Sequence, residues 1–269
     1  MFPIIFLICI ALIIFLARIW FGHKTVQRLL STPLNEDERK IVVKYIPLYR
    51  KLPTDLRAKL DGKINRFRHQ VTFYGVLELE VSDEMQFAIA AQACLLVVNK
   101  DDTWFKNLKT ILVYPDAFKS RQVETNGYVQ TVSEKVRIGE SWSRGPVVLS
   151  WAHAAEGAFI ADDGHNVVFH EFAHQLDDIS GHTDGMPVMK NIKSERAWAK
   201  AFLDGYQRLL ETIEAGGKPF LDPYGATDHA EFFAVSVEYF FEKPAELKHN
   251  EPEIFNQLVA YFNINPLDW

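Results

Sequence analysis

The sequence predicts an α+β protein, mainly helical with a small sheet, preceded by an N-terminal transmembrane helix. Three observations carry that expectation. Phe2 to Phe21 is an almost unbroken apolar run in which Arg18 is the only charge, and about twenty such residues suffice for a helix to cross a bilayer. Apolar residues recur at helical spacing in 36–45, 55–67 and 194–214. Two short segments, Thr110 to Tyr114 and Val147 to Trp151, are instead rich in the β-branched and aromatic residues that suit strands.

The elements follow in chain order. The apolar run has only Met1 in front of it, whereas His23, Lys24 and Arg28 lie behind it. The positive-inside rule therefore places the C-terminal flank in the cytoplasm, with Arg18 near one end able to snorkel. A cleaved secretory signal would have a basic start, a shorter run and a small-residue cleavage site. A buried soluble helix would need a groove covering every face. We therefore expect residues 1–24 to be an uncleaved anchor and residues 25–269 to be one domain, held at the inner face of the membrane with its bulk in the cytosol. Turns near Pro33, Pro47 and Pro53 divide the helices of 22–70. Phe73 to Val81 is mixed, and Ala88 to Val98 reads as a buried helix. Residues 119–146 are polar, with several Gly and Ser, and read as a loop or hairpin. A helix around 167–177 follows, then a lid-like segment from Gly181 to Asn191 and the amphipathic helix of 194–214, broken by Gly216-Gly217-Lys218-Pro219. Another helix covers 228–242, and a short one from about Glu253 to Phe262 closes the chain.

His170-Glu171-Phe172-Ala173-His174 concentrates the chemistry. Positions i and i+4 share a helix face, so both imidazoles can reach one metal ion. Zn²⁺ accepts nitrogen ligands in a roughly tetrahedral site, and the neighbouring Glu171 stands where it can take a proton from activated water. The surroundings Val167, Val168, Phe169, Phe172, Ala173 and Leu176 are apolar, which marks a buried helix whose polar side chains need partners. Asp162, Asp163 or Asn166 is available to cap its start, and Gly181 to stop it. A catalytic zinc usually has a third protein ligand. The helix capped by Asp228 offers Glu231, with Glu238 two turns on as the reserve or as the group that orients a ligand histidine. Tyr224, in the loop Asp222-Pro223-Tyr224-Gly225-Ala226-Thr227, is placed to donate to an oxyanion. Asp177, one turn past His174, can accept a hydrogen bond from a ligand histidine.

The composition narrows the alternatives. A net charge of −6 leaves no footprint for direct nucleic-acid binding. Of two cysteines, Cys9 lies in the apolar run and Cys94 in another apolar stretch, so neither a mutual disulfide nor a cysteine metal site is expected. His153, His165, His182, His229 and His249 lie in loops or at helix starts, where histidines are mostly solvated; His182 and His229 are near the site elements in sequence and are candidates to touch substrate.

Taken together, His170-Glu171-Phe172-Ala173-His174-Gln175-Leu176-Asp177, Asp222-Pro223-Tyr224-Gly225-Ala226-Thr227 and Ala230-Glu231-Phe232-Phe233-Ala234-Val235 resemble the Mlc titration factor A family. Segments 89–96, 111–118 and 147–151 match as well, so the resemblance runs from about Leu30 to near the C-terminus. It implies a gluzincin-like zinc metallopeptidase, related in its catalytic domain to anthrax lethal factor. Zn²⁺ would be held by His170, His174 and Glu231, with Glu171 as general base and Tyr224 stabilising the oxyanion. It further implies aminopeptidase-like activity on peptide or protein substrates aligned at a sheet edge near the site. The alternative role it implies is regulatory, the binding of the transcriptional repressor Mlc with little or no hydrolysis. The apolar N-terminus departs from the soluble, cytosolic members best known in that family.

Overall fold

The computed structural model describes residues 2–126, 129–137, 139–141 and 145–268. The N-terminal apolar run opens a single helix, α1 (Phe2–Ser31), which at 1.5 Å per residue is about 45 Å long. Among the described residues, Ile10–Ser31 is the helical stretch long and apolar enough to cross a membrane. Ile13, Phe15, Ile19 and Phe21 on it are all more than half exposed. The helix does not break at Lys24. Its last turn lies on α3 (Thr54–Gln70), where Gly62 faces the backbone of Leu30 so closely that a Cβ would sit 2.1 Å from the Leu30 carbonyl oxygen. Asn65 then donates to the Thr32 carbonyl, and the Leu34 amide to Asp61. Glycine is what permits this approach of two helix backbones.

Between them, α2 (Glu36–Tyr45) starts in a capping box, with Asn35 and Glu38 satisfying each other's backbone amides. Strand β1 (Thr72–Gly75) leads to α4 (Asp83–Leu95), which is buried without a break from Phe87 to its end. That matches the expected buried helix, shifted a few residues toward the N-terminus because Ser82 supplies the cap by accepting from the Met85 amide.

Strands β1, β2 (Thr110–Tyr114) and β6 (Val147–Ser150) pair in parallel. A three-residue strand, β5 (Gly139–Ser141), adds antiparallel to β6 in the register Gly139 with Leu149, so the sheet order is β1-β2-β6-β5. The polar stretch expected as a loop or hairpin is therefore two things: a separate antiparallel hairpin, β3 (Phe118–Asn126) with β4 (Val129–Arg137), and the edge strand of the main sheet.

Helix α5 (Trp151–Phe159) follows β6 without a linker, because Ser150 ends the strand and caps the helix through the His153 amide. Helix α6 (Val167–Asp177) runs through the core, with Val168, Phe172, Ala173 and Leu176 sealed from solvent. Helices α7 (Ile192–Glu214), α8 (His229–Glu242), α9 (Pro244–Asn250) and α10 (Pro252–Phe262) complete the fold. Aromatic rings knit these together: Phe172 packs on Phe67 and Phe105, and Trp198 stacks on Phe202 against Phe233. The result is a mostly helical α+β protein with a small mixed sheet.

A candidate metal centre between two buried helices

The site is assembled by the start of α6 and the start of α8. Of the three candidate caps for α6, the structure selects Asn166. Its side-chain oxygen accepts from the Val168 and Phe169 amides, while its amide nitrogen donates to Gln92 Oε1 at 3.0 Å and to the Gly157 carbonyl at 3.1 Å. Its own backbone N–H donates to Glu238 Oε2. Helix α6 thus enters the core at a fixed angle, one turn before His170. On α8, Asp228 caps the helix by accepting from the Glu231 amide at 2.9 Å, as the sequence predicts. That puts Glu231 in the first turn, pointing at α6.

The predicted residues converge. His170 Nε2 lies 2.9 Å from Glu231 Oε2, His174 Nε2 lies 3.3 Å from the same oxygen, and the two Nε2 atoms are 3.2 Å apart. All three side chains are largely buried. Bonds of about 2.0–2.1 Å to a tetrahedral ion put its donors about 3.3 Å from one another. Two nitrogens and a carboxylate oxygen at these separations fit one small divalent cation, and these residues are the group of donors in the structure able to hold one, among the described residues.

The surrounding charges hold the donors in place. Glu238 Oε1 lies 2.8 Å from His170 Nδ1. A carboxylate can only accept, so Nδ1 carries the proton and Nε2 is aimed into the triad. Glu238 is therefore the orienting group, the second of the two roles the sequence left open for it. Burial opposes a charged imidazole at His170, but Glu238 and Glu231 at its two nitrogens hold its pKa well above the ordinary value. Burial likewise works against ionised Glu231, and the two imidazoles overcome it, keeping this carboxyl far below the usual range.

Glu171, the next residue along α6, is buried and lines the same cavity as His170, with its pKa pushed up to about 7 by burial, against the pull of His170 and His174. Gly139 of the edge strand β5 packs directly on it: a Cβ there would lie 2.4 Å from Glu171 Oε1. Tyr224 sits in a short 3-10 turn capped by Asp222, half exposed, with its hydroxyl 3.3 Å from Glu231 Oε1. A cavity of about 350 Å³ opens in front of His170, Glu171 and Tyr224.

Three expectations need adjustment. Asp177 does not bond a histidine of the triad. Its Oδ2 accepts from the Gly185 amide at 2.7 Å, which pins the 181–191 segment, and its Oδ1, like His174 Nδ1, is buried with no hydrogen-bond partner among the described residues. His229 turns away and packs on the Tyr206 ring, while His182 is exposed and does not border the cavity. The cavity wall is instead completed by His153, Glu156, His165 and Asp222, with His165 Nδ1 3.6 Å from Asp222 Oδ2. Nothing local in the sequence marks these residues, since they come from three separate segments. The one available signal is the spacing of Asp222 before Tyr224.

The sequence matches the family described as "Glucose-regulated metallo-peptidase M90" over residues 20–263. It is 41% identical over 243 residues to an uncharacterized protein of Synechocystis sp., covering 90% of this chain and 88% of the relative. It is 30% identical over 227 residues to proteins named Mlc titration factor A from Pectobacterium atrosepticum and Klebsiella pneumoniae, covering 82% of this chain and 84% of each relative.

Proposed function

The chain belongs to the glucose-regulated metallo-peptidase family M90, and on that premise we propose that it is a zinc-dependent peptidase, aminopeptidase-like in its action and tethered to the inner membrane. The observation that carries this reading is the convergence of His170 Nε2, His174 Nε2 and Glu231 Oε2 within 3.3 Å of one another, beside a buried carboxylate that has no part in holding the triad.

His170, His174 and Glu231 would hold the ion, and two nitrogens with one oxygen favour Zn²⁺ over the oxygen-loving Mg²⁺ or Ca²⁺. When bound, zinc supplies Lewis acidity, lowering the pKa of water and polarising a carbonyl. Glu171 is the general base: buried beside the triad on the cavity wall, it accepts the proton of the attacking water and then delivers it to the leaving amine. Tyr224 donates its hydroxyl to the oxyanion as the carbonyl becomes tetrahedral, its half-exposed position giving the ring room to adjust. Glu238 keeps the His170 tautomer fixed throughout. The end strand of the sheet, β5, beside Glu171, offers backbone groups along which an extended peptide aligns.

The membrane tether rests on α1. Its exposed apolar face, the Lys24 ammonium 4.0 Å over the Trp20 ring and the basic residues behind it fit a single span whose C-terminal side is cytosolic. Because the helix continues into its contact with α3, the peptidase domain would be held close to the bilayer without a flexible linker.

A second reading draws on the relatives named for titrating Mlc: this chain would bind a transcriptional repressor and hydrolyse little. The two separate in one experiment. Glu171→Gln should retain metal and lose turnover of peptide substrates. A wild-type protein that holds zinc but cleaves none of a broad peptide panel would favour the binding role, and an active Glu171→Gln variant would remove Glu171 as base.

A further inference from the structure

A second cavity, of about 400 Å³, lies at the far end of α6 from the metal centre. Its floor is Gln175, Leu176 and Asp178, and its rim carries the exposed Val188 and the first turn of α7. Three lysines line it, Lys100, Lys106 and Lys190, together with the aromatic residues Trp104, Trp198 and Tyr261. Asp102 and Asp178 are the acidic groups in its lining, so cations outnumber anions here although the chain as a whole is acidic.

Lys100 is the informative residue. It is only 7% exposed, and an ammonium has three hydrogens to donate. Among the described residues it has one acceptor, the Tyr261 carbonyl at 2.7 Å, together with the face of the Tyr261 ring at 3.7 Å. The contrast with Lys63 is direct: that buried lysine donates to the carbonyls of both Val97 and Lys100 and does not border the cavity, so its role is structural. A buried cation with donors to spare, at the wall of a cavity, is costly unless an acceptor completes it. Burial lowers the Lys100 pKa to about 8, which leaves it charged at neutral pH. The positive end of the α7 dipole at Ser194 adds to the same field.

We propose that this cavity binds a small organic oxyanion, a carboxylate or phosphate on a flat apolar body, with Lys100 and Lys190 taking the oxyanion and the aromatic walls taking the body. This site is separate from the metal centre and does not rest on the peptidase reading. Helix α6 joins the two, since Gln175 and Leu176 follow directly on His174.

The test uses the full chain in detergent, titrated with phenyl phosphate, phenylacetate and the neutral phenylacetamide. Calorimetry and the fluorescence of Trp104 and Trp198 are the readouts, before and after removal of metal by a chelator. At least one oxyanion should saturate with Kd on the order of 1 mM or tighter, and whichever binds better identifies the headgroup. The amide should not saturate, and chelation should leave binding unchanged. Lys190→Gln, at an exposed position, and Lys100→Met should each weaken binding by about tenfold. Failure of both oxyanions to saturate, equal binding of the amide, or indifference to both substitutions would overturn the proposal. Loss of binding on chelation would also overturn it, by assigning the oxyanion to the metal centre.

Discussion

Gly139→Ala is the sharpest perturbation the structure offers. Gly139 sits on the edge strand with its Cα facing Glu171, and an added Cβ would lie 2.4 Å from Glu171 Oε1, 2.7 Å from its Cγ and 2.7 Å from Val167 Cγ2. Carbon and oxygen in contact rest about 3.3 Å apart, so roughly 1 Å of displacement must be absorbed. Val167 is buried at the start of α6, where Asn166 is tied to Gln92, Gly157 and Glu238. That end of the helix cannot retreat easily, so the Glu171 carboxylate or the strand moves. A misplacement of about 1 Å in a catalytic group costs on the order of 100-fold, and overpacking costs about 1–3 kcal/mol of stability. None of the atoms an added Cβ would meet belongs to the triad, whose donors should be untouched. The assay is turnover of a peptide substrate beside metal content and thermal melting of the same preparation. The expected result is a roughly 100-fold fall in kcat, full metal content and a melting temperature lower by a few degrees. Turnover within about twofold of wild type would refute the placement of Glu171 as the reacting base. Loss of metal would show that β5 supports the imidazoles instead.

Three other outcomes follow from the same coordinates. Glu238→Gln leaves one amide nitrogen facing a donor, because both carboxylate oxygens now accept, from His170 Nδ1 and the Asn166 amide; zinc affinity by chelator competition should fall about 10- to 100-fold, and an unchanged affinity would deny Glu238 its orienting role. Glu242 is buried, its Oε1 without a hydrogen-bond partner among the described residues, and its pKa is raised by burial from 4.5 to about 8. The folded chain therefore holds this proton more tightly than the unfolded chain, and stability falls as pH rises from about 4.5 to about 8, by at most about 5 kcal/mol. Glu242→Gln should flatten that part of the profile of urea midpoints against pH, and an identical profile would contradict the assignment. Removing residues 1–19 should move the protein from the membrane to the soluble fraction with its metal content unchanged, while a truncated chain that stays with the membrane would place the tether elsewhere.

Much of the site was legible because its signals are local. Two histidines four apart on an apolar helix can only face one way, and Asp228 fixes the phase of α8, so Glu231 and Glu238 were recognisable as inward-facing before any coordinates. The edge strand was not legible. Gly139-Glu140-Ser141 has no apolar alternation, and it is a strand only because β6 offers an unpaired edge and Glu171 needs a residue without a side chain opposite it. Helix α5 was hidden for a different reason: it begins at the residue after β6, and Trp151 reads equally well as the end of a strand. Asp177 shows the limit of reasoning by helical spacing. One turn along from His174 is near enough to interact, but the carboxylate is claimed by the Gly185 amide, which comes from a loop folding back on the helix. The cavity walls at His153, Glu156, His165 and Asp222 belong to the same class, brought together by tertiary packing alone.

Peptidase chemistry at this site requires one ion held by two imidazoles and one carboxylate drawn from α6 and α8. X-ray absorption at the zinc edge of the zinc-loaded full chain tests that directly. The expected result is a shell of nitrogen and oxygen donors at about 2.0–2.1 Å with the outer-shell scattering of two imidazoles, reduced to one imidazole in His174→Ala. A protein that binds no zinc, or a shell without imidazole scattering, would contradict it.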